Sequence, residues 1–122
     1  MVKVKRVYEE PSPADGQRIL VDRLWPRGIK KTAASLSAWL KDLAPSDELR
    51  RWFSHDPRRW REFHRRYLQE LEDPAKAPLL DDLLARARQG TVTLVFAAKD
   101  EERNNAVVVK TVLEDRLNSP PR

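Results

Sequence analysis

The chain has no cysteine at any of its 122 positions. That absence excludes disulfides, thiolate nucleophiles and cysteine-ligated metal centres, and it suits a reducing compartment. Histidine is nearly as scarce, with only His55 and His64, and nothing pairs either with a second ligand at metal spacing, so no metal is expected. No stretch approaches the roughly 18 apolar residues of a membrane span, and the opening MVKVKRVYEEP has no apolar core of signal-peptide length. The expectation is a cytoplasmic protein without membrane attachment.

What is present suits one globular domain. A chain of this length closes one hydrophobic core and is short for two, so a single domain over residues 1–118 and a disordered tail at 119–122 are expected. Hydrophobic residues at 40% and four tryptophans supply an interior, and a charged fraction of 35% gives a solvated surface. Twenty-four Lys and Arg against nineteen Asp and Glu leave a net charge of +5, a mild attraction for polyanions.

Val2 and Val4 alternate with Lys3 and Lys5, the period of a half-buried strand running to about Tyr8. Residues 9–16 break it with two prolines and an Asp-Gly pair. Residues 17–25 read as a second strand, whose apolar centre Ile19-Leu20-Val21 suits a position covered on both faces. Pro26 and Gly28 end it, and Leu36, Leu40 and Leu43 at i, i+4 and i+7 predict a helix capped by Thr32 or Ser35 and stopped by Pro45. Ser46 caps a short helix to about Phe53, with Asp47 and Glu48 in its first turn. Asp56 and Pro57 open the clearest helix, striped by Trp60, Phe63, His64, Tyr67, Leu68 and Leu71. Pro78 opens another, with Gly90 at its end as a left-handed residue. Residues 91–98 form a third strand, and Asn104 or Asn105 caps a last helix to about Leu117.

This order predicts the α/β class: a small Rossmann-like three-layer domain, with a short, mainly parallel sheet flanked by about five helices. The loop after the first strand is shorter than a usual parallel crossover, which leaves that strand's direction open.

Ligands of open α/β sheets bind beyond the carboxyl ends of the strands. Asp22, Arg23, Trp25, Arg27 and Lys30 follow the second strand; Lys99, Asp100, Glu101 and Arg103 follow the third and lead into Asn104 and Asn105. With parallel strands both sets meet at one edge, beside the free amides of a helix start. The expected ligand is small and anionic or nucleotide-like, contacted by Arg23, Arg27, Lys30, His55, Lys99, Asn104 and Asn105. Asp22 and Asp100 are the candidate acid or base for a hydrolytic or group-transfer reaction, if one occurs. Each residue also has a plainer use. Asp22 can accept hydrogen bonds from a loop or pair with Arg27, Lys99 and Asp100 can simply begin a solvated loop, the asparagines can cap the helix, and His64 belongs to an apolar stripe. No cofactor is expected, and no feature calls for a particular oligomeric state. The rival partner is nucleic acid, along Arg58, Arg59, Arg61, Arg65 and Arg66. Glu62 among those arginines, and aromatics committed to the buried stripe, weigh against it.

The runs DGQRILVDRLWPRGIKK, AWLKDLAPSDELRRWFSHDPRRWREFHRRY and VTLVFAAKDEERNNAVVV resemble the short bacterial branch of the DUF488 family, the YeaO-like proteins, from Lys3 to Leu117. The resemblance implies a compact Rossmann-like α/β domain and no particular reaction. It places the family's characteristic polar residues at Asp22, Arg23, Arg27, Lys30, Lys41, Ser46, Arg50, His55, Lys99, Asp100, Asn104 and Asn105. Relatives tend to have His where this chain has Arg103, so any proton transfer by that histidine is missing here or falls to another residue. The longer branch has a cysteine in its last strand and a Cys-His-Arg run just after, at places corresponding to Ala97 or Ala98 and the asparagine pair. A cysteine-free chain cannot share a thiol mechanism.

Overall fold

The computed structural model describes residues 1–119. Four strands, β1 (Val2–Arg6), β2 (Gln17–Leu20), β3 (Ala38–Trp39) and β4 (Val92–Phe96), form one wholly parallel sheet in the order β1-β4-β2-β3. Five helices accompany it: α1 (Lys31–Ala34), α2 (Asp47–Phe53), α3 (Trp60–Leu71), α4 (Ala77–Gln89) and α5 (Asn105–Asn118). The α/β class read from the sequence is therefore present, and β1, whose direction was open, runs parallel to β4.

Topology explains how the layers divide. The β1-to-β2 and β2-to-β3 connections step across the sheet one way and β3-to-β4 returns, so right-handed crossovers must put the first two on one face and the third on the other. The core follows suit. Ile19, Val21, Leu94 and Phe96 pack with Leu49, Phe63, Leu83 and Val109 from α2 to α5, whereas Val7, Leu20 and Val95 are covered by Trp25, Ile29 and Leu36 from the β2-to-β3 connection and by Trp39 of β3. One outer layer is thus made of helices and the other of loops around the single turn of α1.

Beneath the loop layer lies a charged cluster. Arg18 on β2 is buried; its Nη1 donates to Asp15 at 2.7 Å and its Nε to the Ala34 carbonyl at 3.1 Å, while Lys5 Nζ reaches the same carboxylate at 3.2 Å. Burial alone would raise the Asp15 pKa; the Ser12 N–H, Arg18 and Lys5 together outweigh it and hold the carboxyl below its usual value.

Three expectations are corrected by the backbone. β2 stops at Leu20 rather than near residue 25. No single helix carries Leu36, Leu40 and Leu43: α1 ends at Ser35, left-handed at φ 50°, and then Ser37 N–H donates to Arg18 O at 2.8 Å and Leu40 N–H to Leu20 O at 2.9 Å to form β3. Leu36 serves the loop-side core and Leu40 packs on the helix-side core that buries Leu43, so helical spacing here is shared between two faces of the sheet. Gly90 is extended at φ 169°, not left-handed, because the chain passes almost at once into β4.

Local caps match their chemistry more closely. Asp56 and Asp73 each cap a 3-10 turn, Pro57–Arg59 and Pro74–Lys76, that leads into α3 and α4. Ser46 Oγ accepts from Leu49 N–H at 3.1 Å, and its hydroxyl and backbone N–H both donate to Glu70 on α3, at 2.6 and 2.8 Å. Ser46→Ala is expected to cost about 1–2 kcal/mol, a lost cap plus a half-abandoned carboxylate; urea midpoints unchanged from wild type would show that the cap does nothing. No helix among the described residues is long and apolar enough to cross a membrane. Of the expected tail, Ser119 donates its hydroxyl to Asp115 O at 2.7 Å, and residues 120–122 lie outside the described residues.

Candidate functional site

The carboxyl ends of all four parallel strands lie at one edge, and Asp22 joins three of them. Its Oδ2 accepts from Ala97 N–H at 2.8 Å, just past β4, and its Oδ1 accepts from Asn105 Nδ2 at 3.1 Å, at the start of α5. The same amide reaches Val21 O at 2.9 Å, and the Asp22 carbonyl accepts from the Trp39 indole on β3 at 2.7 Å. Asp22 is therefore a clamp across β2, β3, β4 and α5. The alternative brace to Arg27 is not formed.

Burial pushes the Asp22 pKa up; the Ala97 N–H, the Asn105 amide and the charge of His55 oppose that without cancelling it. A carboxyl raised in the folded state adds stability that is full below its unfolded pKa and is lost as pH rises through the folded one. Asp15, Asp56 and Asp100 have lowered values and the opposite sign, losing their contribution as pH falls. Stability is thus expected to rise on mild acidification before it collapses, and Asp22→Asn should flatten the first limb of a denaturation series run across pH. Asp22→Ala, which strips an acceptor from Ala97 N–H and Asn105, is expected to cost about 2–3 kcal/mol in urea unfolding at neutral pH.

Asp100 begins the turn into α5. Its Oδ1 accepts from Glu102 N–H and Arg103 N–H, each at 3.0 Å, and its Oδ2 from Arg103 Nη1 at 3.2 Å. The Glu102 N–H above all, with Arg103 behind it, keeps this carboxyl below its usual value. Arg103 thus braces the turn. Asn104 is the buried N-cap of α5, accepting from Val107 N–H at 3.0 Å and donating to Asp100 O at 2.9 Å.

On the loop side, Trp25 donates to Ile29 O at 2.6 Å, Ile29 N–H closes on Pro26 O at 3.4 Å, and Gly28 turns the chain at φ 80°. Trp25 packs edge-on against Trp39 with ring centroids 5.4 Å apart. This tight loop leaves Arg27 and Lys30 exposed, as is Lys99, and none of the three enters an ion pair among the described residues. His55 is exposed on a strained turn, with Ser54 at φ 47° and His55 at φ 54° both left-handed without being glycine.

Two residues that the sequence did not single out complete the edge. Tyr8, beyond β1, donates its hydroxyl to Arg27 O at 2.9 Å. Arg6 lies over the Tyr8 ring at 5.1 Å and donates to Ala98 O at 2.9 Å and Ala97 O at 3.4 Å. The alternation of β1 was a usable signal for them, once that strand is known to run parallel.

A family model described as "Inactive DUF488-N3 subclade" matches residues 1–121. The chain belongs to the DUF488 family. It is 46% identical over 115 residues to the uncharacterized protein Rv3073c of Mycobacterium tuberculosis (strain ATCC 25618 / H37Rv), covering 94% of this chain and 95% of that one. It is 41% identical over 109 residues to the uncharacterized protein YeaO of Escherichia coli (strain K12), covering 88% and 92%. No solved structure matches it.

Other positions of the DUF488 pattern serve the framework. Lys41 lies over the Trp39 ring at 5.6 Å, Arg50 pairs with Asp47 at 3.3 Å, and Arg23 donates to Pro45 O at 3.3 Å and Ala44 O at 3.4 Å. Arg23 lines a cleft of about 230 Å³ with Ser46, Glu70, Asp73 and Lys76; a cleft of about 540 Å³ beside it holds Leu49, Trp52 and Arg66. Neither includes Arg27, Lys30, His55, Lys99 or the asparagines, so Arg23 is set apart from the other expected contacts. The arginine face of α3 is largely neutralised. Asp56 pairs with Arg58 and Arg59, and Glu62 with Arg65 and Arg66, whose guanidinium groups bring Glu62 down to about 2.

Proposed function

We propose that this DUF488 domain is a non-catalytic binding module, working in the cytoplasm, that holds a small anionic or nucleotide-like ligand at the carboxyl edge of its sheet. The strongest support is an imbalance of engagement. Asp22 and Asp100 at the edge are occupied by internal hydrogen bonds, whereas the cations Arg27, Lys30 and Lys99, like the exposed Glu101 and Glu102, enter no ion pair among the described residues. An anion there meets three cations free of ion pairs among the described residues and the first amides of α5, a helix of 14 residues with its positive dipole end at the same edge. The word "inactive" in the family description agrees with carboxylates that act as clamps. Asn104 caps the helix behind the site, Asn105 shapes its rim, and His55 is a further expected contact.

Titration calorimetry with pyrophosphate tests this. Binding is expected at low salt, weakening as salt rises, and falling at least tenfold in Arg27→Ala/Lys99→Ala. An affinity indifferent to loss of Arg27, Lys30 and Lys99 together would overturn the proposal. The competing reading, nucleic-acid binding through Arg58, Arg61 and Arg65, has Arg61 in its favour, which enters no ion pair among the described residues. DNA binding that weakens on Arg61→Ala and ignores Arg27→Ala would put it first.

A further inference from the structure

We infer that the ligand of this edge carries a nucleobase stacked on Tyr8, so that the domain selects a nucleotide over a bare anion; the inference rests on the anion-binding reading above. Among the described residues only three large hydrophobic side chains are exposed, Met1, Tyr8 and Leu24, and two of them belong to the loops that follow β1 and β2 at the carboxyl edge. A single exposed aromatic is ordinary on a protein surface. Tyr8 differs in being held. It is 43% exposed, yet its hydroxyl is tied to the Arg27 carbonyl at 2.9 Å and its ring is backed by the Arg6 guanidinium at 5.1 Å. Arg6 is fixed in turn by the carbonyls of Ala97 and Ala98.

These contacts tie the ring to the two backbone segments that carry the cations. Arg27 carries the tethering carbonyl, Lys30 follows three residues later, and Lys99 is the next residue after Ala98. A ring immobilised before the ligand arrives loses little entropy on stacking, and base-aromatic stacking tolerates any base because every base has a π-face. Leu24, 59% exposed in the same loop as Arg27, offers apolar surface for the sugar or base edge. Capture of a simple anion needs none of this, since the cations suffice.

The test is calorimetry on the full chain with three probes: ADP, pyrophosphate and a single-stranded DNA hexanucleotide. ADP is expected to bind at least tenfold more tightly than pyrophosphate, within the range of one stacked base. Tyr8→Ala should abolish that preference while leaving pyrophosphate affinity within twofold, and Tyr8→Phe should keep it. Melting curves of both variants should stay within a few degrees of wild type, because Tyr8 lies outside the core and gives up only a surface hydrogen bond and, in Tyr8→Ala, one cation-π contact. Tyr8-dependent binding of the hexanucleotide in preference to ADP supports the same stacking, with the base supplied by a polynucleotide. Equal affinity for ADP and pyrophosphate overturns the nucleobase inference and leaves the anion site standing. Equal weakening of both by Tyr8→Ala also overturns it, marking Tyr8 as a loop tether. Binding of none of the probes overturns both proposals.

Discussion

Gly16→Ala is expected to bring the domain close to unfolding at physiological temperature. Gly16 sits at φ 62° and ψ −133°, backbone that side-chain-bearing residues rarely adopt, and a β-carbon there would lie 2.2 Å from Thr91 O. The obstacle is main chain and cannot swing aside. Thr91 O accepts from Gln17 N–H at 3.0 Å at the first rung of the β2–β4 ladder, so retreat would break the pairing at the centre of the sheet. Strain plus overlap amounts to about 4 kcal/mol or more, a large share of the roughly 5–15 kcal/mol that holds a domain together. Gly28→Ala is the control: φ is 80° but nothing lies within 4 Å of the added carbon, so strain of roughly 1 kcal/mol is all it should lose. A Gly16→Ala protein that melts within a few degrees of wild type would refute this account of the β1-to-β2 connection.

Tyr67→Ala is expected to cost about 3–5 kcal/mol, the usual range for emptying a buried aromatic site. Tyr67 is fully buried on α3, beside Phe63 at 5.7 Å, and its hydroxyl donates to Leu43 O at 2.7 Å, tying the helix to the turn after β3. Tyr67→Phe keeps the ring and strands that carbonyl, for about 1–2 kcal/mol. The pair of variants separates packing from the hydrogen bond. Burial, reinforced by the carboxylates of Asp22 and Glu70, holds the Tyr67 pKa well above its ordinary value of 10.0. A raised pKa contributes stability that is full below the unfolded value and is lost as pH rises towards the folded one. Wild type should therefore lose stability faster than Tyr67→Phe above about pH 10, and parallel slopes in urea titrations at rising pH would contradict that.

The helices were legible to the extent that their signals are local. Asp56 with Pro57, Ser46 with Asp47 and Glu48, and Asn104 ahead of a valine run each satisfy amides within three residues. The stripe of α3 was readable because one face meets one core, burying Phe63, Tyr67 and Leu71. The leucines at 36, 40 and 43 were not, because they pack into two cores on opposite faces. β3 is two residues long and owes its existence to Arg18 O and Leu20 O, which no residue of 37–40 announces.

For the site, the inventory was readable from the residues alone: a cysteine-free, basic chain whose charged residues follow strands and precede a well-capped helix. Which of them meet depends on the fold. Parallel pairing of β1 with β4 carried Arg6 and Tyr8 to the same edge as Arg27 and Lys99. Closure of the sheet against α5 engaged the Asp22 carboxylate with the Ala97 N–H and the Asn105 amide, residues 75 and 83 positions away along the chain. The reason is physical: a hydrogen bond or an unpaired charge depends on what lies within about 3–4 Å, and in a parallel sheet those neighbours come from distant stretches of sequence.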